Sequence, residues 1–388
     1  MKNDDQICTR CIMDSTVPDI RFDEKGICNY CTKYFEVMDK LYMDEVQKER
    51  VLERIVDEIK EKGRGKDYDS ILGVSGGLDS SYLLYRAVKL GLRPLAVHLD
   101  NGWDSELSTS NIEKLVKTLN VDLYTHVIDW EEFKDLEIAF FKANVVDIEM
   151  LTDHAIVATL YETALRRKIK YILAGTNMAN EGIRIPRGWS HSKLDLRNIR
   201  SIYGKYGHRK KLNTFPTIGL TRYFKYRFID GIKWVSLLDY LTYDWDEAIH
   251  ILNKEINWRK YEKKHYESIF TRFYQGYILP KKFNVDKRKV HYSTLICSGQ
   301  MTRDRACELM KNDPYDDEQL LKEDKEYVLK KLGLNNEEFE KYINSPSVPH
   351  SCYSSNERIY HQLVVKPYNI AKKVIGVIST PFGRKLVS

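Results

Sequence analysis

The chain has 388 residues with a formal net charge of +6, and a composition of 43% hydrophobic and 30% charged residues is typical of a protein with two or three domains and a sizeable core. No apolar run approaches the roughly 18 residues of a membrane span, and the start, MKNDDQICTRC, lacks the apolar stretch of a signal peptide. Seven unevenly spread cysteines argue against a secreted disulfide framework, so we expect a cytoplasmic protein.

The first predicted element is a metal-binding module over residues 1–40. It contains two Cys-x2-Cys pairs, Cys8 with Cys11 and Cys28 with Cys31, separated by 16 residues. Four thiolates at this spacing can surround one tetrahedral Zn²⁺ and leave no position open, so the zinc would be structural. A redox dithiol is the alternative for a single pair, but two pairs favour zinc. The other cysteines are expected to be packed core or surface residues: Cys297, Cys307 and Cys352.

Residues 41–65 are predicted to form a linker helix, because apolar residues recur there at helical spacing before Gly63. Strands and helices then alternate over residues 68–180. The predicted strands are 71–74, 94–99, 123–128 and 171–174, and the predicted helices are 80–90, 111–119 and about 154–167. This alternation predicts an α/β fold, a doubly wound parallel sheet with its ligand site at the carboxyl ends of the strands. We expect the sheet domain over 66–235, and a basic, mainly helical substrate region over 236–388 that includes helices at 245–256 and 316–332.

The segment 71–81, ILGVSGGLDSS, carries the strongest chemical signal. Its glycines allow a tight turn that brings backbone N–H groups close to a phosphate, and the following helix N-terminus favours an anion. Asp79 would repel that anion unless a Mg²⁺ ion is shared between them. A simple glycine turn is the alternative. The residues that we assign to a pyrophosphate are Ser75, Gly76, Gly77, Asp79, Ser80 and Ser81.

The segment SGGLDSS resembles the PP-loop signature of the ATP pyrophosphatases, such as GMP synthetase, asparagine synthetase and the tRNA thiolases. It has no Gly-Lys-Ser/Thr ending and so differs from a Walker A loop. The resemblance implies a sheet of the adenine-nucleotide alpha hydrolase type, with ATP and Mg²⁺ bound and AMP and pyrophosphate formed.

Two further segments are expected at the same sheet edge. Asp100 follows the second strand and is a candidate for the ribose or the adenine edge, with a simple strand-end cap as the alternative. Gly175, Thr176 and Asn177 follow the fourth predicted strand, taken as the last of the sheet, and are candidates to close the nucleotide site; an ordinary glycine loop is the alternative.

The basic residues are concentrated in two later stretches. Residues 181–234 contain 13 Lys and Arg against 3 acids, and residues 254–291 contain 11 against 4. This distribution indicates an anionic ligand, although a solvated helix face explains the second stretch equally well. From it we select Lys264 as a catalytic candidate and His265 and Lys287 as substrate contacts. His154, on a predicted helix, either orients the substrate or packs.

Together, six segments resemble the N-acetyl sugar amidotransferases of surface-polysaccharide (lipopolysaccharide, O-antigen) biosynthesis, over most of residues 5–310. They are CTRCIMDSTVPDIRFDEKGICNYC, SGGLDSS, VHLDNGW, TDHAI, LAGTNMANEG and HYESIFTRFYQGYILPKKFNVDKR. The resemblance implies that the N-acetyl group of a sugar or nucleotide-sugar becomes an acetamidino group. AMP is first transferred to the amide oxygen, and ammonia then displaces it. Asp79, Ser80 and Lys264 are the residues to which we assign catalysis.

The ammonia is expected to come from another protein. A glutaminase needs a nucleophilic cysteine at its mature N-terminus or in a G-x-C-x-G elbow, and here Lys2 follows Met1 and no elbow cysteine occurs. The resemblance implies a separate glutaminase subunit and a cyclase-like ammonia-channel subunit, similar to those of the histidine pathway. The alternatives are a PP-loop tRNA-modifying enzyme of thiolase or lysidine type, and a non-catalytic nucleotide-binding module. Binding of nucleic acid is the less favoured explanation of the basic stretches.

Overall fold

The structure is a computed structural model that describes residues 6–209, 211–262, 266–315, 317–360 and 362. Two candidates from the sequence, Lys264 and His265, lie outside the described residues. No helix in the described part of the chain is both long and apolar enough to cross a membrane.

A single five-stranded parallel sheet organises the fold, with the strand order β3-β2-β1-β4-β5. The strands are β1 Ser70–Gly73, β2 Pro94–Asp100, β3 Leu123–Val127, β4 Tyr171–Leu173 and β5 Lys233–Val235. The central strand β1 is buried, and Ile71 is in register with Leu95 on one side and Ile172 on the other. The predicted doubly wound α/β fold is thereby confirmed.

The helices surround this sheet and then form most of the C-terminal region. They are α1 Asn29–Leu41, α2 Glu45–Lys62, α3 Leu78–Lys89, α4 Glu106–Leu119, α5 Trp130–Ala143, α6 Met150–Arg166, α7 Met178–Glu181, α8 Leu196–Tyr206, α9 Leu220–Phe224, α10 Trp245–Ile256, α11 Ile269–Phe273, α12 Leu279–Phe283, α13 Arg288–Cys297, α14 Arg303–Met310, α15 Glu318–Leu332, α16 Asn336–Asn344 and α17 Glu357–Tyr360. Two π-helical turns, Lys225–Ile229 and Tyr274–Ile278, continue α9 and join α11 to α12, and 3₁₀ turns span Leu237–Tyr240 and His350–Cys352.

Several elements of the sheet domain were not predicted, and two of them, β5 and α5, are hard to recognise for clear reasons. The first is β5, which contains three residues within the basic and aromatic stretch, so that β4 is not the last strand as the sequence suggested. The second is α5, whose buried face carries Glu132 and Glu137, each 1% exposed. These two carboxylates interrupt the apolar stripe from which a helix is recognised in a sequence.

Apolar side chains cover both faces of the sheet. Helices α2, α3, α4 and α10 contribute to the core on one face, and α6 and α9 contribute to the core on the other. Because α10 belongs to the first of these cores, the sheet and the start of the C-terminal region are continuous. The division at residue 235 stays a prediction.

The N-terminal module is attached to the C-terminal helix α13. The Nζ atom of Lys289 lies 2.6 Å from the carboxylate of Asp14, and the Oγ atom of Ser293 accepts a hydrogen bond from the N–H of Ile12. Further along, the Nε and Nη2 atoms of Arg303 donate to the carbonyls of Cys11 and Cys8. A small module of this size cannot bury a core alone, so these contacts supply part of its stability.

Candidate functional site

The loop after β1 has a conformation that requires glycine. Gly76 has a φ of +75°, and a Cβ atom there would lie 2.7 Å from the carbonyl oxygen of Ser108 in α4. A Cβ atom on Gly77 would lie 3.1 Å from the Oε1 atom of Glu267. The backbone therefore approaches its neighbours more closely than any side chain allows.

Three hydrogen bonds fix this loop from outside. The carbonyl of Gly76 accepts from the Nε1 atom of Trp258 at 3.0 Å and from the hydroxyl of Tyr261 at 3.1 Å, and the Oγ atom of Ser108 donates to the carbonyl of Ser75 at 2.9 Å. Trp258 and Tyr261 lie in the basic stretch 254–291, but neither residue was given a role from the sequence. The aromatic residues within that stretch were the available signal.

The loop leads directly into α3. Gly77 is the N-cap of this helix and provides no side-chain cap, so the first N–H groups of α3 stay available for an anion. The Oγ atoms of Ser75 and Ser80 lie 3.3 Å apart at this end. Ser81 is fully buried, and its Oγ atom has no hydrogen-bond partner among the described residues. An unpaired buried hydroxyl in the first turn of α3 fits an anionic ligand.

The carboxylate of Asp79 is held by three donors. Its Oδ1 atom accepts from the hydroxyl of Tyr243 at 2.6 Å, from the Nδ2 atom of Asn180 at 2.8 Å and from the Nδ2 atom of Asn177 at 3.3 Å. Burial, with the Asp79 charge beside it, raises the pKa of Tyr243 and keeps this phenol a donor. The Oδ1 atom of Asn180 is buried without a partner among the described residues. Carboxylate and amide oxygens suit Mg²⁺, so these residues fit that ion.

The predicted second loop meets the first. A Cβ atom on Gly175 would lie 3.1 Å from the backbone nitrogen of Ser80, so the chain after β4 packs directly on the first turn of α3. The Oγ1 atom of Thr176 lies 3.0 Å from the Oγ atom of Ser236, which follows β5. Asn177 caps α7 and contacts Asp79, as described above. The structure therefore brings the two predicted loops together at one sheet edge.

A cavity of about 1210 Å³ extends from these loops into the C-terminal helices. Ser75 and the loop from Gly175 to Asn177 line one end of it. Charged residues from α6, α13 and the segments beside them line another part, including Glu149, Asp153, Lys193 and Lys287.

Asp100 is outside the residues that line this cavity, and its contact with the nucleotide stays a prediction. Its Oδ1 atom accepts from the N–H of Gly102 at 2.8 Å and so caps the strand end. His98 and Asp104 line the cavity instead, with the Nε2 atom of His98 2.9 Å from the Oδ2 atom of Asp104. Burial opposes protonation of His98, but the Asp104 carboxylate raises its pKa above the usual value. His98 lies within β2, two residues before its end, and nothing in the local sequence indicates that it pairs with Asp104 in the cavity.

His154 packs inside the protein, which corrects its assignment to the substrate. Its side chain is fully buried, the Nδ1 atom lies 2.7 Å from the carbonyl oxygen of Lys193, and the Nε2 atom accepts from the N–H of Ile218. Burial lowers the pKa of His154 to about 4, so the ring is neutral at pH 7. Lys287 does line the cavity, but its Nζ atom lies 2.6 Å from the carboxylate of Glu149 and is already neutralised.

The four N-terminal cysteines form one compact group. All are buried, and their Sγ atoms lie within 4.8 Å of one another. The Sγ atoms of Cys11 and Cys28 are 3.8 Å apart, and those of Cys8 and Cys31 are 4.0 Å apart. Tetrahedral Zn²⁺ with bonds of about 2.3 Å requires sulfur separations of about 3.8 Å, so the four residues fit this ion. Cys297 packs beside this group, because its Sγ atom lies 3.6 Å from that of Cys31.

Part of the cavity lining, including Arg272, Gln275 and Lys287, lies in a stretch that matches a known family domain. Residues 267–367 match the family model described as the C-terminal domain of WbpG-like lipopolysaccharide (LPS) biosynthesis proteins. Over these residues the chain is similar to the WbpG-like proteins. This match confirms, for residues 267–367, the resemblance to proteins of surface-polysaccharide biosynthesis that was found in the sequence. A search of curated proteins gives no match.

Several solved structures are similar to parts of this chain. An NH3-dependent NAD synthetase from Campylobacter jejuni, solved with a nitrate ion, is 20% identical over 36% of this chain and 59% of its own, with a TM-score of 0.27. An NMN synthetase from Francisella tularensis is 16% identical over 56% of this chain and 99% of its own, with a TM-score of 0.29. A predicted tRNA methyltransferase subunit from Methanocaldococcus jannaschii is 13% identical over 48% of this chain and 75% of its own, with a TM-score of 0.27. The chain spans less than two thirds of the first of these proteins.

Proposed function

We propose that this chain is an ATP-dependent amidotransferase that converts the N-acetyl group of a sugar to an acetamidino group and forms AMP and pyrophosphate. The observation that supports this most strongly is the continuous cavity. It joins the PP-loop to the WbpG-like stretch, which contributes Arg272, Gln275, Lys287 and Arg288 to its lining. A single small-ligand pocket has about 300–1,000 Å³, so a cavity of about 1210 Å³ has room for two substrates.

The first step would be attack of the amide oxygen on the α-phosphorus of ATP. The oxygen–phosphorus bond forms, the bond to the β-phosphate oxygen breaks, and pyrophosphate leaves with the electron pair. Negative charge then develops on the leaving group, next to the N–H groups of the loop and of the first turn of α3. The hydroxyl of Ser75 would donate to the same oxygens, and that of Ser80, which donates to the carbonyl of Gly77 at 3.2 Å in this structure, would turn toward them.

Asp79 would hold a Mg²⁺ ion, which supplies charge neutralisation for the pyrophosphate. Asn177, Asn180 and Tyr243 orient the carboxylate through the three hydrogen bonds to its Oδ1 atom. All three donors use the Oδ1 atom, so the Oδ2 atom would be the one to bind the ion. Trp258 and Tyr261 keep the loop in its phosphate-binding conformation from behind.

The second step would be displacement of AMP by ammonia, supplied by a separate glutaminase through a cyclase-like channel subunit. The position of the cysteines supports this supply. Among the described residues, no cysteine lines the cavity. Cys297 lies beside the zinc-binding cysteines, which does not suit the nucleophile of a glutaminase. The N-terminal zinc would be structural and would support α13, whose residues Val290, His291 and Thr294 line the cavity.

The test is an assay of the purified protein with ATP, Mg²⁺, ammonium and a panel of N-acetylated sugars and nucleotide-sugars. We expect AMP and pyrophosphate in equal amounts, and only when an accepted sugar is present. Formation of ADP and phosphate, or ATP consumption that depends on tRNA and not on sugar, contradicts the proposal.

A further inference from the structure

Five charged side chains form one cluster on the cavity wall, which we call the charged wall. It consists of Asp147, Glu149, Asp153, Lys193 and Lys287. The Nζ atom of Lys193 lies 2.6 Å from the Oδ2 atom of Asp147 and 3.2 Å from the Oδ2 atom of Asp153. The Nζ atom of Lys287 lies 2.6 Å from the Oε2 atom of Glu149. Three carboxylates therefore face two ammonium groups, and one negative charge remains.

Asp153 is the member of the charged wall that is open to the cavity. Its side chain is 48% exposed, whereas those of Asp147 and Glu149 are 2% and 10% exposed. The carboxylate of Glu149 is also saturated, because it accepts two contacts from the Nε2 atom of Gln275 in addition to Lys287. The excess negative charge is consequently available to a ligand at Asp153.

The helix α6 places Asp153 above the nucleotide loop. This helix leads into β4, so its first turn lies at the carboxyl edge of the sheet, where the Oγ1 atom of Thr152 accepts from the Nδ2 atom of Asn101 at 2.9 Å. Leu160 on the same helix lies against Gly73 at the end of β1. Seven residues of helix separate it from Asp153, which corresponds to about 10 Å. Asp153 thus faces the part of the cavity beyond the phosphate loop, where the second substrate would lie.

We propose that Asp153 is the general base that takes the proton from the attacking nitrogen in the second step. This inference depends on the proposed function. Ammonia donates its lone pair to the carbon of the adenylated amide, a carbon–nitrogen bond forms, and the new nitrogen becomes positively charged. One proton passes from that nitrogen to the Asp153 carboxylate. The bond between carbon and the AMP oxygen then breaks, AMP leaves with the electron pair, and the amidinium product remains.

Two properties of Asp153 suit this role. Its pKa is raised because the cavity wall encloses it within the protein, although the side chain is half exposed to the cavity; Lys193 and Lys287 oppose the shift, and the carboxylates of Glu149 and Asp147 add to it. A base with a raised pKa accepts a proton more readily at neutral pH. The remaining negative charge also stabilises the positive nitrogen as it forms. Asp239, another cavity carboxyl, is occupied as a cap, because its Oδ1 atom accepts from the N–H of Met178 at 2.7 Å.

The experiment compares two nucleophiles in the Asp153→Asn variant. Ammonia must lose a proton after attack, whereas hydroxylamine, a weaker base, forms an intermediate that releases its proton to water far more easily. We expect Asp153→Asn to lower kcat/KM for ammonium at least about 100-fold, and to leave turnover with hydroxylamine within a few-fold of wild type. Sugar-dependent exchange of labelled pyrophosphate into ATP reports the first step and should stay intact, which also shows that the variant is folded.

Glu162→Gln is the matched control, since Glu162 is a carboxylate on the same helix that pairs with the surface residue Arg166. It should retain full turnover with both nucleophiles. An equal loss with ammonium and hydroxylamine in Asp153→Asn, a loss of pyrophosphate exchange, or unchanged ammonium turnover each overturns the assignment of Asp153. Wild-type protein without sugar-dependent exchange contradicts the proposed function itself, and the inference with it.

Discussion

Replacing Gly76 with alanine should separate the requirement for a left-handed backbone from the requirement for close packing. Gly76 has a φ of +75°, and a new Cβ atom would lie 2.7 Å from the carbonyl oxygen of Ser108. Gly65 provides the matched control, because it has a φ of +74° with no atom within 4 Å of a new Cβ atom. Both variants therefore share the backbone strain, and only one adds a steric clash.

The magnitudes follow from these two contributions. An alanine in the left-handed region costs about 1–2 kcal/mol, so Gly65→Ala should lower the free energy of unfolding by that amount. Overpacking adds about 1–3 kcal/mol, so Gly76→Ala should lower it by about 2–5 kcal/mol, unless the loop moves away from α4. Such a movement would break the hydrogen bonds from Trp258 and Tyr261 to the Gly76 carbonyl, and would displace the phosphate-binding N–H groups.

Urea unfolding gives the stabilities, and pyrophosphate release at varied ATP concentration gives the activities. We expect Gly76→Ala to lower kcat/KM for ATP at least about 100-fold, a loss comparable to the removal of one preorganised donor, and Gly65→Ala to leave it unchanged. Equal destabilisation of the two variants, with the loop in place, would refute the packing argument, and wild-type ATP turnover in Gly76→Ala would refute the assignment of this loop to the phosphates.

Three further predictions concern the metal sites and a buried histidine. Metal analysis should find one zinc per chain, and a Cys8→Ser, Cys28→Ser double variant should lose it; zinc retained in that variant contradicts the assignment. Asp79→Asn should nearly abolish pyrophosphate release while the melting temperature stays close to wild type, because the three donors to its Oδ1 atom keep an oxygen acceptor. The pKa of His154 is about 4 in the folded state and 6.5 in the unfolded state. The unfolded state therefore binds more protons below pH 6.5, and the free energy of unfolding decreases as the pH is lowered. This histidine should account for about 2 kcal/mol of stability lost between pH 7 and pH 5, a loss absent from His154→Asn and measured by urea unfolding at both values.

Local patterns were sufficient to predict the sheet and its phosphate loop. The strand and helix periods of residues 68–180 and the two glycines of SGGLDSS are properties of adjacent residues, and they determine the turn at Gly76. The contact between Asp79 and Asn177 was also foreseeable, because both loops follow neighbouring parallel strands and must meet at one edge. The cysteine spacing predicted the compact N-terminal group for the same reason.

The remaining features depend on tertiary contacts that a local pattern does not contain. Near the end of β2, Asp104 lines the cavity, whereas Asp100 caps the backbone of Gly102. In α6 the sequence drew attention to His154, but adjacent residues point in directions about 100° apart on a helix, and Asp153 is the one that faces the cavity. The contacts of Trp258 with the loop join residues far apart in the chain.

The central claim is the transfer of nitrogen to an N-acetyl sugar, and isotopic labelling tests it most directly. The purified protein should be incubated with ATP, Mg²⁺, labelled ammonium and an accepted sugar, and the sugar product analysed by mass spectrometry. The account predicts one labelled nitrogen in an acetamidino group, AMP in equal amount, and no transfer from glutamine until a glutaminase subunit is added. Label that never enters the sugar, together with ATP consumption that requires tRNA, would contradict the account and would favour an RNA-binding role for the basic stretches 181–234 and 254–291.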